Sequence, residues 1–140
     1  LNFVCLVLAQ KIVRDGEGAT KFITIRVQNA KTIKEADKAA RMVANSPLVK
    51  TAIYGENPNW GRMMAALGAS GVLFSPAKVN IFIDRLQVVK SGMRAKYDEQ
   101  DARAIMKKKE INILINLGAG RAESEIWTCD FSHKYVDINI

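Results

Sequence analysis

The stretch KFITIRVQNAKTIKEADKAARMVANSP, Lys21 to Pro47, sets two periodicities side by side and decides the fold class. In its first third, Ile23, Ile25 and Val27 alternate with Thr24 and Arg26, the period of two that a half-buried strand requires. Thr32 and Glu35 then stand at the spacing of a capping box. Ile33, Ala36, Ala40 and Val43 follow on one helical face as far as Asn45, and Pro47 stops the run. A strand that passes through a short turn into an amphipathic helix is a unit of mixed α/β architecture. The class is therefore α/β or α+β, with helices covering sheets.

Working outward, LNFVCLVLAQKIV predicts a first helix that is apolar nearly all round and ends near Arg14, because Asp15, Gly16 and Gly18 break it. After Pro47, LVKTAIYG reads as a buried strand, followed by the loop ENPNW and a helix GRMMAALGASG. In that helix Ala65, Ala66, Gly68 and Ala69 leave little side chain on one surface, which lets another element approach closely. Beyond Pro76, VNIFID and LQVV read as paired strands, and a polar helix starts at Asp98 and runs through DEQDARAIMKKK. Ile111, Ile113, Ile115 and Leu117 alternate with Asn112 and Asn116 in a further half-buried strand. A last strand is expected to carry Trp127, Tyr135, Val136 and Ile138. Leu1 opens without an N-cap, and YVDINI alternates and stops at Ile140 without a turn, so the chain is expected to be part of a longer protein.

A chain of 140 residues with 49% hydrophobic content can bury a core of its own. No apolar run approaches the roughly 20 residues a membrane helix needs, because Lys11, Arg14 and Asp15 interrupt the only candidate stretch, so a soluble protein without membrane contact is expected. Cys5 and Cys129 make no disulfide framework and no CxxC pair, which fits a reducing, cytoplasmic setting. With His133 they still fall short of a zinc set, so no metal is expected. The formal charge of +7, from 21 Lys and Arg against 14 Asp and Glu, permits nucleic acid, anionic surfaces or acidic metabolites and selects none. Lys107, Lys108 and Lys109 carry no interleaved aromatic residue and read as a solvated helix end rather than a nucleic-acid patch.

Three segments carry candidate chemistry. DGEGATK, Asp15 to Lys21, presents Glu17 between two glycines, where a carboxylate is open to pair with a substrate ammonium or to be an ordinary turn acid. The spacing is not that of a phosphate-binding loop. GENPNWGR, Gly55 to Arg62, is explained by structure: Asn59 as a helix cap and Trp60 as a hydrophobic staple. IWTCDFSHKYV gathers Cys129, Asp130, Ser132 and His133, but on a strand Cys129 and His133 would stand roughly 13 Å apart, too far for a nucleophile and its base.

Taken in order, DGEGATK, ANSPLVKTAIYGENPNWGR and WTCDFSHKYVDIN closely resemble the ornithine acetyltransferase family, the bifunctional glutamate N-acetyltransferases of arginine biosynthesis. The resemblance spans essentially the whole chain. It implies a precursor that cleaves itself before a threonine into α and β chains, which remain together in an α2β2 assembly. The new N-terminal threonine takes acetyl from N-acetylornithine and passes it to glutamate in a ping-pong scheme. Acetyl-CoA serves as co-substrate in some members, and no other cofactor is implied. The nucleophile and oxyanion donors are expected outside these residues, so this chain alone is expected to be inactive. By residue matching, Glu17 and Asn139 fall on the family's substrate-binding glutamate and asparagine. The implied fold is an αββα sandwich resembling N-terminal-nucleophile enzymes in layering, with residues 1–75 in the sandwich. Residues 76–140 are then expected to form a smaller α/β domain whose last strand returns to the site. Two rival functions remain at this point, a related amidase or aminopeptidase on the same fold and a basic nucleic-acid-binding module.

Overall fold

The strand and the capped helix read between Lys21 and Pro47 both form, and the rest of the chain is built around them. In this computed structural model, which describes residues 1–140, the order is α1 (Asn2–Arg14), β1 (Phe22–Ala30), α2 (Ile33–Ala44), α3 (Pro47–Tyr54), α4 (Trp60–Ala69), β2 (Asn80–Ile83), β3 (Leu86–Lys90), β4 (Met93–Arg94), α5 (Glu99–Met106), β5 (Glu110–Asn116), β6 (Ala122–Cys129) and α6 (His133–Ile138).

The strands make one six-stranded sheet in the order β4-β3-β2-β5-β1-β6. Only β1 and β5 run parallel, which is possible because three helices, β2, β3, β4 and α5 lie between them in the chain. Their register aligns the two alternating patterns. Val27, Ile115 and Ile81 form one row across the sheet, and Ile25, Ile113 and Ile83 the next. All six side chains are buried on a single face. Helix α2 lies across β1 and β6 and contributes Ala36, Ala39, Ala40 and Val43, all fully buried, to the same core. The opposite face carries Thr24, Arg26, Asn112 and Asn116 and stays partly open, the one-sided burial common in sheets with antiparallel strands.

The division expected at residue 75 does not separate two cores. Strand β1 sits between β5 and β6, and one hydrophobic cluster joins Ile23 and Val43 to Ile81 and Ile115. These residues supply one sheet with its helices, in the mixed α/β class. No helix is long and apolar enough to cross a membrane.

Two segments read as strands are helices. LVKTAIYG forms α3, where Ser46 accepts a hydrogen bond from the Val49 amide and Pro47 occupies the first turn. Proline there starts a helix as readily as it stops one. Val49, Ala52 and Ile53 are the buried side of that helix. YVDINI belongs to α6, capped by Ser132 through the Tyr135 amide, so the alternation of Val136 and Ile138 with Asp137 and Asn139 does not describe a strand. Short apolar runs satisfy both periods, and the caps decide. The capping box of α2 is half made. Thr32 accepts from the Glu35 amide at 3.1 Å, but Ile33 is exposed, and one carboxylate oxygen of Glu35 is buried without a partner. In α4, Asn59 caps the helix as read, whereas Met63, Ala66 and Leu67 face the core and Ala65, Gly68 and Ala69 face outward. The polar helix α5 ends at Met106, with Lys107 as its cap and Lys108 paired to Asp84 at 3.1 Å.

Ile113 is in the central row, flanked by Ile25 and Ile83. Ile113→Ala is expected to cost about 2–5 kcal/mol in chemical denaturation, because the sheet cannot collapse around the lost volume. The half-exposed Leu114→Ala, on the other face, should cost clearly less. Helix α1 buries no residue and exposes Phe3, Val4, Leu6, Leu8 and Ile12. The isolated chain is therefore expected to bind a hydrophobic dye, and removal of residues 1–14 to abolish most of that signal. Equal dye binding after the truncation would place the apolar surface elsewhere.

Candidate functional site

The antiparallel pairing of β1 with β6 sets Phe22 opposite Cys129. Thr20 and Lys21, just before one strand, therefore meet Asp130 to Ser132, just after the other, although they are more than a hundred residues apart in sequence. Asp130 is fully buried at this junction. Its Oδ1 accepts from the Thr20 amide at 2.8 Å and the Lys21 amide at 2.9 Å, and its Oδ2 accepts from the Thr20 hydroxyl. The Lys21 ammonium donates to the carbonyls of Met106 and Lys108 at 2.8 and 3.0 Å, which ties the same loop to the end of α5.

Ser132 is bound from both sides: its hydroxyl donates to the Gly18 carbonyl at 2.5 Å and accepts from the Tyr135 amide as the cap of α6. Gly18 has φ +66°, and a Cβ there would stand 2.7 Å from the Tyr135 nitrogen. Only glycine combines that conformation with so close an approach. The aromatic residues of α6 complete the docking. Tyr135 stacks on Phe131 with centroids 4.7 Å apart, and His133 meets Tyr54 of α3 edge-on at 5.5 Å.

This docking brings the two residues singled out in the sequence together. The Asn139 amide nitrogen donates to Oε2 of Glu17 at 2.9 Å and to the Tyr135 carbonyl at 2.8 Å. Both partners are acceptors, so both amide hydrogens are used and Oδ1 is turned to be the free end. The pair offers oxygen acceptors, the remaining lone pairs of the Glu17 carboxylate and Oδ1 of Asn139. Such a set suits a donor with several N–H groups, as an ammonium has. Both residues are exposed.

Asp130, Ser132 and Gly18 were not legible as supports of this pair. Asp130 and Ser132 drew notice only as neighbours of a conceivable nucleophile, and Gly18 as an opening around Glu17. Cys129 ends β6 and His133 begins α6 against Tyr54, so they share no strand face. One surface cleft lies between the loop Gly55 to Pro58 and α5, lined by Glu56, Arg103 and Lys107, and a slightly larger one reaches Thr20 and Lys21 at the junction with Asp130. Neither Glu17 nor Asn139 lines them. The Arg26 guanidinium is held above its ordinary pKa by its hydrogen bond to Glu125, on the sheet face away from the core.

Fold and site define a mixed α/β domain in which a loop carboxylate and a helix-capping asparagine are held together by a buried aspartate. The ArgJ family model matches residues 1–140, and the chain belongs to the ArgJ family. It is 48% identical over 139 residues to the arginine biosynthesis bifunctional protein ArgJ of Chlorobaculum tepidum, covering 99% of this chain and 34% of that protein. It is 51% identical over 138 residues to the protein of the same name from Neisseria meningitidis serogroup B, covering 97% and 34%. The chain thus spans about a third of the length of the curated relatives it matches. Among solved structures, that of the arginine biosynthesis bifunctional protein ArgJ from Bacillus halodurans superposes with a TM-score of 0.94 at 38% identity, over 98% of this chain and 65% of that one. The resemblance carried by the three motifs is borne out.

Asp130→Ala leaves the Thr20 and Lys21 amides without an acceptor at a buried position. It is expected to cost about 1–3 kcal/mol and to make the segment after Cys129 cleavable by protease under conditions where the wild-type segment resists.

Proposed function

We propose that the protein carrying this chain is an acetyltransferase of arginine biosynthesis, moving acetyl from N2-acetyl-L-ornithine to L-glutamate. A threonine outside these residues attacks the acetyl carbonyl. The amide C–N bond breaks, ornithine departs with the proton, and acetyl remains as a threonine ester. The amine of glutamate then attacks that ester, forming N-acetylglutamate and returning the hydroxyl. The scheme needs no cofactor, because acetyl travels from substrate to protein to substrate, and acetyl-CoA enters only as an alternative donor. The reading includes self-cleavage into α and β chains, an α2β2 assembly and a cytoplasmic location.

The contribution of this chain is to hold substrate. Glu17 and Asn139 supply acceptors to an ammonium group of the amino acid, and the charge of Glu17 pairs with it. The observation that supports this is the 2.9 Å contact between the two residues, made across 122 positions of sequence. An incidental turn acid has no need of a partner from the far end of the chain. Membership of the ArgJ family supports the reaction class.

Glu17→Gln in the complete protein keeps the shape and removes the charge. Its kcat/KM for both amino-acid substrates is expected to fall by about 1.5–3 kcal/mol, the scale of a charged hydrogen bond, or roughly ten- to a hundredfold. Unchanged kcat/KM in a folded variant would leave Glu17 as a turn residue and overturn the assignment.

A further inference from the structure

We propose that Lys50 is a positioning residue for the same site, holding helix α6 so that Asn139 stands against Glu17; this rests on the reading of that pair as substrate-binding. Lys50 lies on α3 and is only 8% exposed. A lysine so buried ordinarily has a carboxylate beside it, yet none of the chain's ion pairs involves Lys50. What its ammonium meets is the ring of Phe131, with Nζ 4.1 Å from the ring centroid. An ammonium over a ring face is attracted by the ring's negative face, and more strongly where water is kept away.

The backbone of the same residue reinforces the contact, because the Lys50 carbonyl accepts from the Phe131 amide at 3.3 Å. Lys50 therefore grips Phe131 by main chain and side chain at once. Phe131 in turn stacks nearly parallel on Tyr135, with 13° between the rings. The Tyr135 carbonyl accepts from Asn139, which reaches Glu17. A continuous series of contacts thus runs from Lys50 to Glu17. One turn further along α3, Tyr54 meets His133 at the start of α6. Helix α6 has no buried residue, so these aromatic contacts and the Ser132 cap replace a core in fixing where Asn139 lies.

The test uses the complete enzyme and a double-mutant cycle of Lys50→Met with Asn139→Ala. Asn139→Ala alone is expected to lower kcat/KM about tenfold. Lys50→Met should lower it about three- to tenfold, through a raised KM with kcat within about twofold, since misplacing Asn139 removes ground-state binding. Lys50→Arg, which keeps a cation over the ring, should recover most of the loss. In the Asn139→Ala background, Lys50→Met should change kcat/KM less than about twofold, because the residue it positions is gone. Should Lys50→Met fail to fold, Phe131→Leu removes the ring at similar volume and must reproduce the same KM pattern and the same lack of additivity. Losses that multiply in the double variant, or wild-type KM in both Lys50→Met and Phe131→Leu, overturn the positioning role alone. Wild-type kcat/KM in Asn139→Ala overturns the reading of the site itself, and this role with it.

Discussion

Asp130 accepts three hydrogen bonds from Thr20 and Lys21 in a fully buried position, and the arrangement of the whole site depends on that junction. The antiparallel ladder brings the start of β1 and the end of β6 together at one end of the sheet, but a ladder alone leaves the chain free beyond its last pair. A buried carboxylate that binds successive amides of the neighbouring segment converts adjacency into a fixed geometry. The preceding loop and the following helix then grow from points that cannot move independently. Gly18 and Ser132 are the first residues on each side to use this constraint, and Glu17 and Asn139 the last.

The sheet makes that junction possible by an unequal division of its faces. Isoleucine and valine fill the covered face in rows across β1, β5 and β2, while α2 meets them with alanine. Large side chains on the sheet and small ones on the helix let the layers approach without overpacking. Polar Thr24, Asn112 and Asn116 occupy the other face. Burial therefore fixes the register of β1 against both neighbours, since a slip of one residue would send Ile23, Ile25 and Val27 to the open side. The position of Thr20 relative to Asp130 follows from that register.

The fold class was legible because KFITIRV and INILINL alternate over enough residues to exclude a helix, and because Thr32 and Asn59 are caps in the structure as in the sequence. LVKTAIYG and YVDINI were misread for one reason. Each is too short for periodicity to choose, and the deciding signals, Ser46 with Pro47 and Ser132, lie one to three residues upstream. The expected division at residue 75 failed for a different reason. Inserting β1 between β5 and β6 is a non-local choice, made by the fit of isoleucine rows, and no local signal marks it. Glu17 and Asn139 could be picked out by motif, but their contact is a consequence of the β1–β6 register and of α6 being a helix. Had the tail continued as a strand at about 3.3 Å per residue, Asn139 would lie well away from the loop that holds Glu17.

Two carboxylates near one end of the sheet are put to opposite use by their partners. Asp130 is enclosed and its oxygens are occupied by donors from the chain, so it has nothing left to offer a ligand. Glu17 is exposed, and among the chain's hydrogen bonds it receives that of Asn139 alone. An amide N–H beside a carboxylate stabilises its charge without neutralising it, whereas a lysine or arginine in the same place would form an ion pair and take up the acceptors that remain. The second amide hydrogen of Asn139 is spent on the Tyr135 carbonyl, which turns the side-chain oxygen outward. Asparagine is thus suited to this position in a way that aspartate is not, because aspartate would face Glu17 with a like charge. Glutamine's additional methylene would leave the distance between the α6 terminus and the loop unmatched. The charge and the acceptors belong to the two side chains, and their meeting depends on the point at which Asp130 fastens the two segments.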